Sequence, residues 1–228
     1  MQHRPKVRGV STVEFVVIFP IALLVVLCLI QWGFLYMGKL TLNHATFMAA
    51  RHGAMKNGHL SEIRSALIEN LVPFYQDATN TNDTLRIKWA QFKAQTSTAL
   101  DRPEVYRLSP NERTMADFGV EINGQRQIPH DNLQWRNTAV GRSSGVNIQD
   151  ANLLKIRVVY GYELKVPLIG TLIKTVMCGG STAVDAWGGA VPVWRGLDLA
   201  NCPRYYARHR VPIESYAVVE MQSAFSAP

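Results

Sequence analysis

Four groups of residues have the types and spacing to do chemistry. Gly141-Arg142-Ser143-Ser144-Gly145 fits Gly-x-Ser-x-Gly, which presents a nucleophilic serine on a sharp strand-to-helix turn. Asp185 or Asp198 followed by His209 even keeps the chain order serine, aspartate, histidine. The flanks argue against a hydrolase. Such a turn needs a buried strand before it and a helix after it, whereas Arg136-Asn137-Thr138 precedes and Asn147-Ile148-Gln149-Asp150 follows. We therefore read a loop and expect no catalytic residue. The six histidines include no His-Glu-x-x-His and no paired ligand spacing, so neither a metal nor a cofactor is expected. The absence of Gly-x-x-x-x-Gly-Lys-Ser/Thr from the sequence excludes a P-loop ATPase.

The three cysteines form the third group. Cys28 lies in an apolar run and reads as a small packing residue facing lipid or a helix. Cys178 and Cys202 both fall in the distal part of the chain. In an oxidising compartment they are expected to form a bridge, with two reduced, buried thiols as the alternative. Closing a loop of about 25 residues would stabilise by roughly 3 kcal/mol if the gain is chain entropy.

The fourth group is a single carboxylate. Glu14 stands at the mouth of Phe15–Gly38, 24 residues without a formal charge. As a helix this run would reach about 36 Å, enough to cross a hydrocarbon core of ~30 Å. An ionised side chain costs roughly 2.5 to 3.5 kcal/mol at the centre of a membrane helix, so Glu14 needs an explanation. One is local: Ser11-x-x-Glu14 is a capping box, and an acid in the first turn suits the positive end of the helix dipole. The other begins with a cut after Gly9. Val10 would become a new N-terminus, and Glu14 would gain a cationic partner, its own amine or that of a neighbouring subunit.

A short basic leader ending in Gly9, Glu14 as the fifth residue after it, Phe15 beside it and Pro20 within the apolar helix together resemble type IV prepilins. The variant Gly-x-x-x-x-Glu-Phe, followed by Ala45-x-x-x-Ala49-Ala50-Arg51-x-Gly53, resembles the TadE-like minor pseudopilins, type IVb prepilin-like proteins of tight-adherence pilus systems. The likeness is strongest over residues 8 to 53. It returns weakly at His209-Arg210-Val211-Pro212-Ile213 and Met221-Gln222-Ser223, which are similar to the family's last strand; the middle of the chain has no matching motif. The resemblance implies that an aspartic prepilin peptidase cuts between Gly9 and Val10, and that Glu14 pairs with a subunit N-terminus. It also implies that the chain is a substrate and assembly component, not an enzyme. Implied partners are the membrane, the peptidase, and other pilins, pseudopilins and pilus assembly proteins. Larger relatives with a von Willebrand type domain carry Asp-x-Ser-x-Ser, which is absent from this sequence. The alternative reading is an uncleaved single-pass anchor whose periplasmic domain binds some other envelope partner.

Composition agrees with a membrane segment plus one globular head. The chain has 228 residues, 47% hydrophobic and 18% charged, and a net charge of +7. Arg4, Lys6 and Arg8 supply three of its 24 basic residues; the remaining 21 against 17 acidic residues leave +4 on a chain starting at Val10. So mild an excess, with no basic cluster interleaved with aromatics, gives no support to nucleic-acid binding. Three cations precede the run, and Lys39 is the only Lys or Arg in the twelve residues after it, which places the leader in the cytoplasm and the head in the periplasm. The run is too long for a cleavable secretory signal and lacks an Ala-x-Ala exit, so the anchor should stay attached to the inner membrane.

The elements that must position these groups follow from periodicity. Pro20 removes one helical hydrogen bond from the span, and Gln31, Trp32 and Tyr36 mark its outer end. Lys39 to Met55 should continue the helix, with Ala45, Ala49 and Gly53 every fourth residue. Such a small-residue stripe suits close approach of another helix or of the protein's own head. Asn57-Gly58 stops it, and Ser61 with Glu62 restarts a short helix with Leu60, Ile63, Leu67 and Leu71 on one face. Asp77 to Asp83 reads as a polar loop, and Thr84 to Ala94 as a strand from its alternating Leu85, Ile87 and Trp89. Residues 96–150 should be a decorated excursion with one or two further strands. Leu154 to Val166 alternates as a half-buried strand ended by Pro167; Leu168 to Met177 is a short apolar helix, and Val211 to Met221 a final strand. The expected organisation is a leader (1–9), a transmembrane helix (10–38), a helical extension (39–72) and an α+β head with a small antiparallel sheet (73–228).

Overall fold

The computed structural model describes residues 11–76, 82–100, 103–122, 124–178 and 201–226. The helices are α1 (Ser11–Met55), α2 (Leu60–Asn70), α3 (Asp83–Leu100), α4 (Glu112–Phe118), α5 (Ile148–Ala151) and α6 (Pro167–Cys178). The strands are β1 (Glu104–Ser109), β2 (Val120–Ile122), β3 (Gln125–Ile128), β4 (Leu153–Glu163), β5 (Arg210–Glu220) and β6 (Phe225–Ser226). They form two three-stranded sheets, ordered β1-β4-β5 and β2-β3-β6. Mixed helix and strand behind a long apolar N-terminal helix is the expected α+β class, with two small sheets in place of one.

The chain makes two compact units. One holds the described residues up to Tyr36 and those from Glu163 to Val211; the other holds Met37–Tyr162 and the residues from Pro212 on. The chain passes between them within α1, near the end of β4 and near the start of β5.

In the second unit the core is built by three periodic faces. Leu42, Ala45, Ala49 and Ala50 of α1, Ile63 and Leu67 of α2, and Leu154, Ile156 and Val158 of β4 are all fully buried. α1 ends where Asn57 and Gly58 take left-handed backbone, at φ 55° and 71°, a conformation these two residue types adopt at low cost. The C-terminal segment then satisfies the helix end: the Gln222 amide donates to the Ala54 carbonyl (3.1 Å), and the Ser223 hydroxyl donates to the same oxygen (2.9 Å). Carbonyls in a last helical turn have no partner within the helix, so this clasp replaces water there. α2 starts one residue earlier than its polar signal suggests, with His59 at its N-cap.

Two expectations fail. Residues 84–94 are not a strand but part of α3. The Arg86 amide donates to the Asn82 carbonyl (2.9 Å), opening the helix, and the buried positions are Ala90 and Ala94, one turn apart. Leu85, Ile87 and Trp89, whose alternation suggested a strand, are exposed. The run lacks Gly and Pro and is rich in Lys, Gln and Ala, good helix formers, so the small residues set the packing. Residues 96–150 hold three strands. β2 and β3 are a short hairpin with Val120 opposite Gln127 and Ile122 opposite Gln125, turning at Gly124 with φ 75°. α4 has a reciprocal cap: the Thr114 amide donates to Asn111 Oδ1 (3.0 Å), and the Asn111 amide donates to Thr114 Oγ1 (2.8 Å).

In the first unit, the bridge expected between Cys178 and Cys202 is present, with 5.3 Å between Cα atoms. Cys178 is the last residue of α6. The Leu164 amide donates to the His209 carbonyl (3.0 Å), and Gly170 of α6 lies against the His209 ring. The expected fragments around Gly179-Gly180 and Gly188-Gly189, and most of the polar loop at Asp77 to Asp83, lie outside the described residues.

Candidate assembly surface

From Glu14, α1 is long and apolar enough to cross a membrane. Between Phe15 and Gly38 it carries no charge, and its side chains are exposed apart from a few on one side. Phe15 and Phe19, one turn apart, stack with ring centroids 5.2 Å apart. Pro20 sits inside the helix without ending it. Glu14 is exposed in the first turn and is the one acidic residue there. Gly9, Val10 and the Ser11 side chain lie outside the described residues, which leaves the cut and the capping box as expectations.

Gln31 departs from this pattern. It is 1% exposed, and its Oε1 accepts a hydrogen bond from the Val166 amide at 2.9 Å, immediately before α6. Beyond it, Trp32 and Tyr36 are exposed again. Gln31 was expected only as a mark of the outer end of the span, with no partner. A lone amide in a run of hydrocarbon is the only signal that could have suggested one.

The small-residue stripe is inside the second unit. Ala45 and Ala49 are fully buried, and a Cβ on Gly53 would lie 2.9 Å from Ile63 Cδ1 and 3.3 Å from Leu154 Cδ2. A Cβ on Gly38 would likewise lie 2.7 Å from Tyr162 Cε2. At Gly53 the neighbours are the protein's own α2 and β4, and Ala45 and Ala49 are buried within the same unit.

The residues set aside for catalysis form a loop. The Ser143 and Ser144 amides donate to the Asp117 carboxylate, at 3.0 Å and 2.7 Å to Oδ2. The adjacent Ser144 side chain, together with those two amides, holds the Asp117 carboxyl below its ordinary range. No strand precedes Ser143 within the turn, and Asp185 and Asp198 lie outside the described residues. Among the described residues no three of His, Cys, Asp or Glu converge as a metal site.

Residues 9–51 match the family model described as TadE-like protein. That segment is TadE-like. The TadE-like segment spans Gly9, Val10, Glu14, Phe15, Pro20, Ala45 and Ala49, and stops just before Gly53. No curated protein and no solved structure matches the chain. A TadE-like segment on an exposed apolar helix supports a protein associated with tight-adherence pili and with their components in the membrane.

Proposed function

We propose that this chain is a minor pseudopilin of a tight-adherence pilus. It is inserted once in the inner membrane, with its leader in the cytoplasm and its α+β part in the periplasm. A prepilin peptidase cuts between Gly9 and Val10. The mature helix then joins pilin and pseudopilin neighbours through its exposed face, and the protein serves assembly and surface adhesion without catalysing a reaction. Glu14 pairs with a subunit N-terminal amine, since an unpaired ammonium is costly in a lipid-like core.

One observation carries this reading: the TadE-like match falls on a helix that is exposed and charge-free just where Glu14 introduces it. The test is the intact mass of the protein taken from the envelope of a peptidase-competent host. Loss of Met1 to Gly9 is expected. Retention of those residues would overturn the pseudopilin reading and favour the uncleaved anchor.

A further inference from the structure

α6 presents an apolar face away from its own fold. Leu168, Leu172 and Val176, every fourth residue, are 68%, 45% and 49% exposed, while Ile169 and Gly170 on the other side are buried. The helix is fixed at both ends. The Val166 amide just before it donates to Gln31 of α1, and Cys178 at its end is bridged to Cys202. Gln31 lies 17 residues beyond Glu14. At 1.5 Å per residue that is about 25 Å along the helix, near the far side of a hydrocarbon core of ~30 Å. Trp32 and Tyr36 follow, exposed and of the types that settle at headgroup level.

We propose that α6 is an interfacial helix, its Leu168-Leu172-Val176 face inserted in the outer leaflet of the membrane that α1 crosses. The occupant is lipid because Gln31 holds the start of α6 at the depth where the exposed span leaves the hydrocarbon, so one bilayer covers both surfaces. At 12 residues α6 is about 18 Å long, too short to span and suited to lying along an interface. Exposed Lys174 can extend its ammonium to the headgroups. The inference rests on the spanning role proposed for α1.

The test uses the full chain in nanodiscs of phosphatidylethanolamine and phosphatidylglycerol. Cys28→Ser removes the free thiol and leaves the Cys178–Cys202 bridge intact. Single cysteines then carry a nitroxide at Leu172→Cys, Val25→Cys or Trp135→Cys, all exposed positions. Collision with oxygen, enriched in lipid, is compared with collision with a nickel chelate confined to water. The expected oxygen-to-nickel ratio at position 172 is several-fold above that at 135 and approaches that at 25. A lipid-like value at 25 with a water-like value at 172 would overturn the interfacial helix and leave the span standing. A label at 172 shielded from both reagents would mean that a protein neighbour covers the face, which also overturns it. A water-like value at 25 would remove the span and this inference together.

Discussion

Gln31 Oε1 and the Val166 amide meet at 2.9 Å across 135 residues of chain. Gln31 is the one buried residue of the described helix between Glu14 and Met37, so this bond ties the start of α6 to an otherwise exposed span. In Gln31→Met the apolar bulk stays and the acceptor goes. The Val166 amide is part-buried, so losing its partner costs toward the lower end of about 1 to 3 kcal/mol, and the change also removes the buried Gln31 Nε2, which has no partner. Hydrogen exchange across residues 164–170 should therefore accelerate by roughly severalfold, while the interior of β4 near Ile156 keeps its protection.

Gly53 allows α1 to approach Ile63 and Leu154. Alanine there gains helix propensity of about 1 kcal/mol, but its methyl would run into Ile63 Cγ1 and stand 2.9 Å from Ile63 Cδ1. Overpacking typically costs about 1 to 3 kcal/mol, so Gly53→Ala should be mildly destabilising and Gly53→Val clearly so. Combining Gly53→Ala with Ile63→Ala should destabilise less than the sum of the two single changes in denaturant unfolding, because the second creates room for the first.

Legibility in the sequence followed the kind of signal each element left. The stop at Asn57-Gly58 and the alternation of β4 as far as Val158 are local signals that the structure keeps; β4 then buries every residue to Tyr162 and ends at Glu163, short of the expected Val166, and Pro167 opens α6. α3 was misread because Leu85, Ile87 and Trp89 carry a period of two, while Ala90 and Ala94, which do the packing, add little to a hydrophobic pattern. β2 and β3 were hidden because strands of three or four mostly exposed residues show no alternation. At the candidate assembly surface, Glu14 stands out as a carboxylate at the mouth of a charge-free run, while Phe15 and Pro20 gain meaning only from the resemblance to prepilins. The Gln31 to Val166 bond does not, since a single long-range polar pairing has no period.

Arg157 and Glu214 give a pH prediction. Arg157 Nε donates to Glu214 Oε2 at 3.2 Å, a second guanidinium nitrogen reaches Oε1, and the Tyr216 hydroxyl donates to Oε2 at 2.9 Å. The Arg157 contact first, and the Tyr216 hydroxyl next, hold the Glu214 carboxyl below its usual value of 4.5. A depressed carboxylate adds stability that is fully present above the unfolded value and is lost as pH falls through the folded one. The stability gap between the native chain and Glu214→Gln should thus be open at about pH 7 and narrow as pH falls below the ordinary value of 4.5 and through the lowered one. Both side chains are over a third exposed, so the gap is small and should shrink in about 1 M salt.

The Cys178–Cys202 bridge closes the chain across 24 positions from the end of α6. Replacing both cysteines by serine leaves no thiol to mispair with Cys28 at either position and isolates the loss of the constraint. The expected cost is roughly 3 kcal/mol if chain entropy dominates. Thermal unfolding of the double variant should shift down, and treating the native chain with reductant should produce a shift in the same direction. A reductant effect in the double variant as well would point to a different cause.

Glu14→Gln separates processing from assembly. Under the proposed function, the peptidase recognises the leader and Gly9, so the variant should still lose Met1 to Gly9, read by intact mass. Pairing would then be absent, and a charged terminus would remain in the lipid-like core without its carboxylate. Breaking one side of a buried ion pair costs about 3 to 5 kcal/mol, so recovery with other pilus components should fall by more than tenfold. Glu14→Asp, which keeps the charge on a shorter arm, should recover part of it. A Gln variant that is cut and assembles at the native level would show that Glu14 has no electrostatic partner, and the local capping role would then account for the carboxylate.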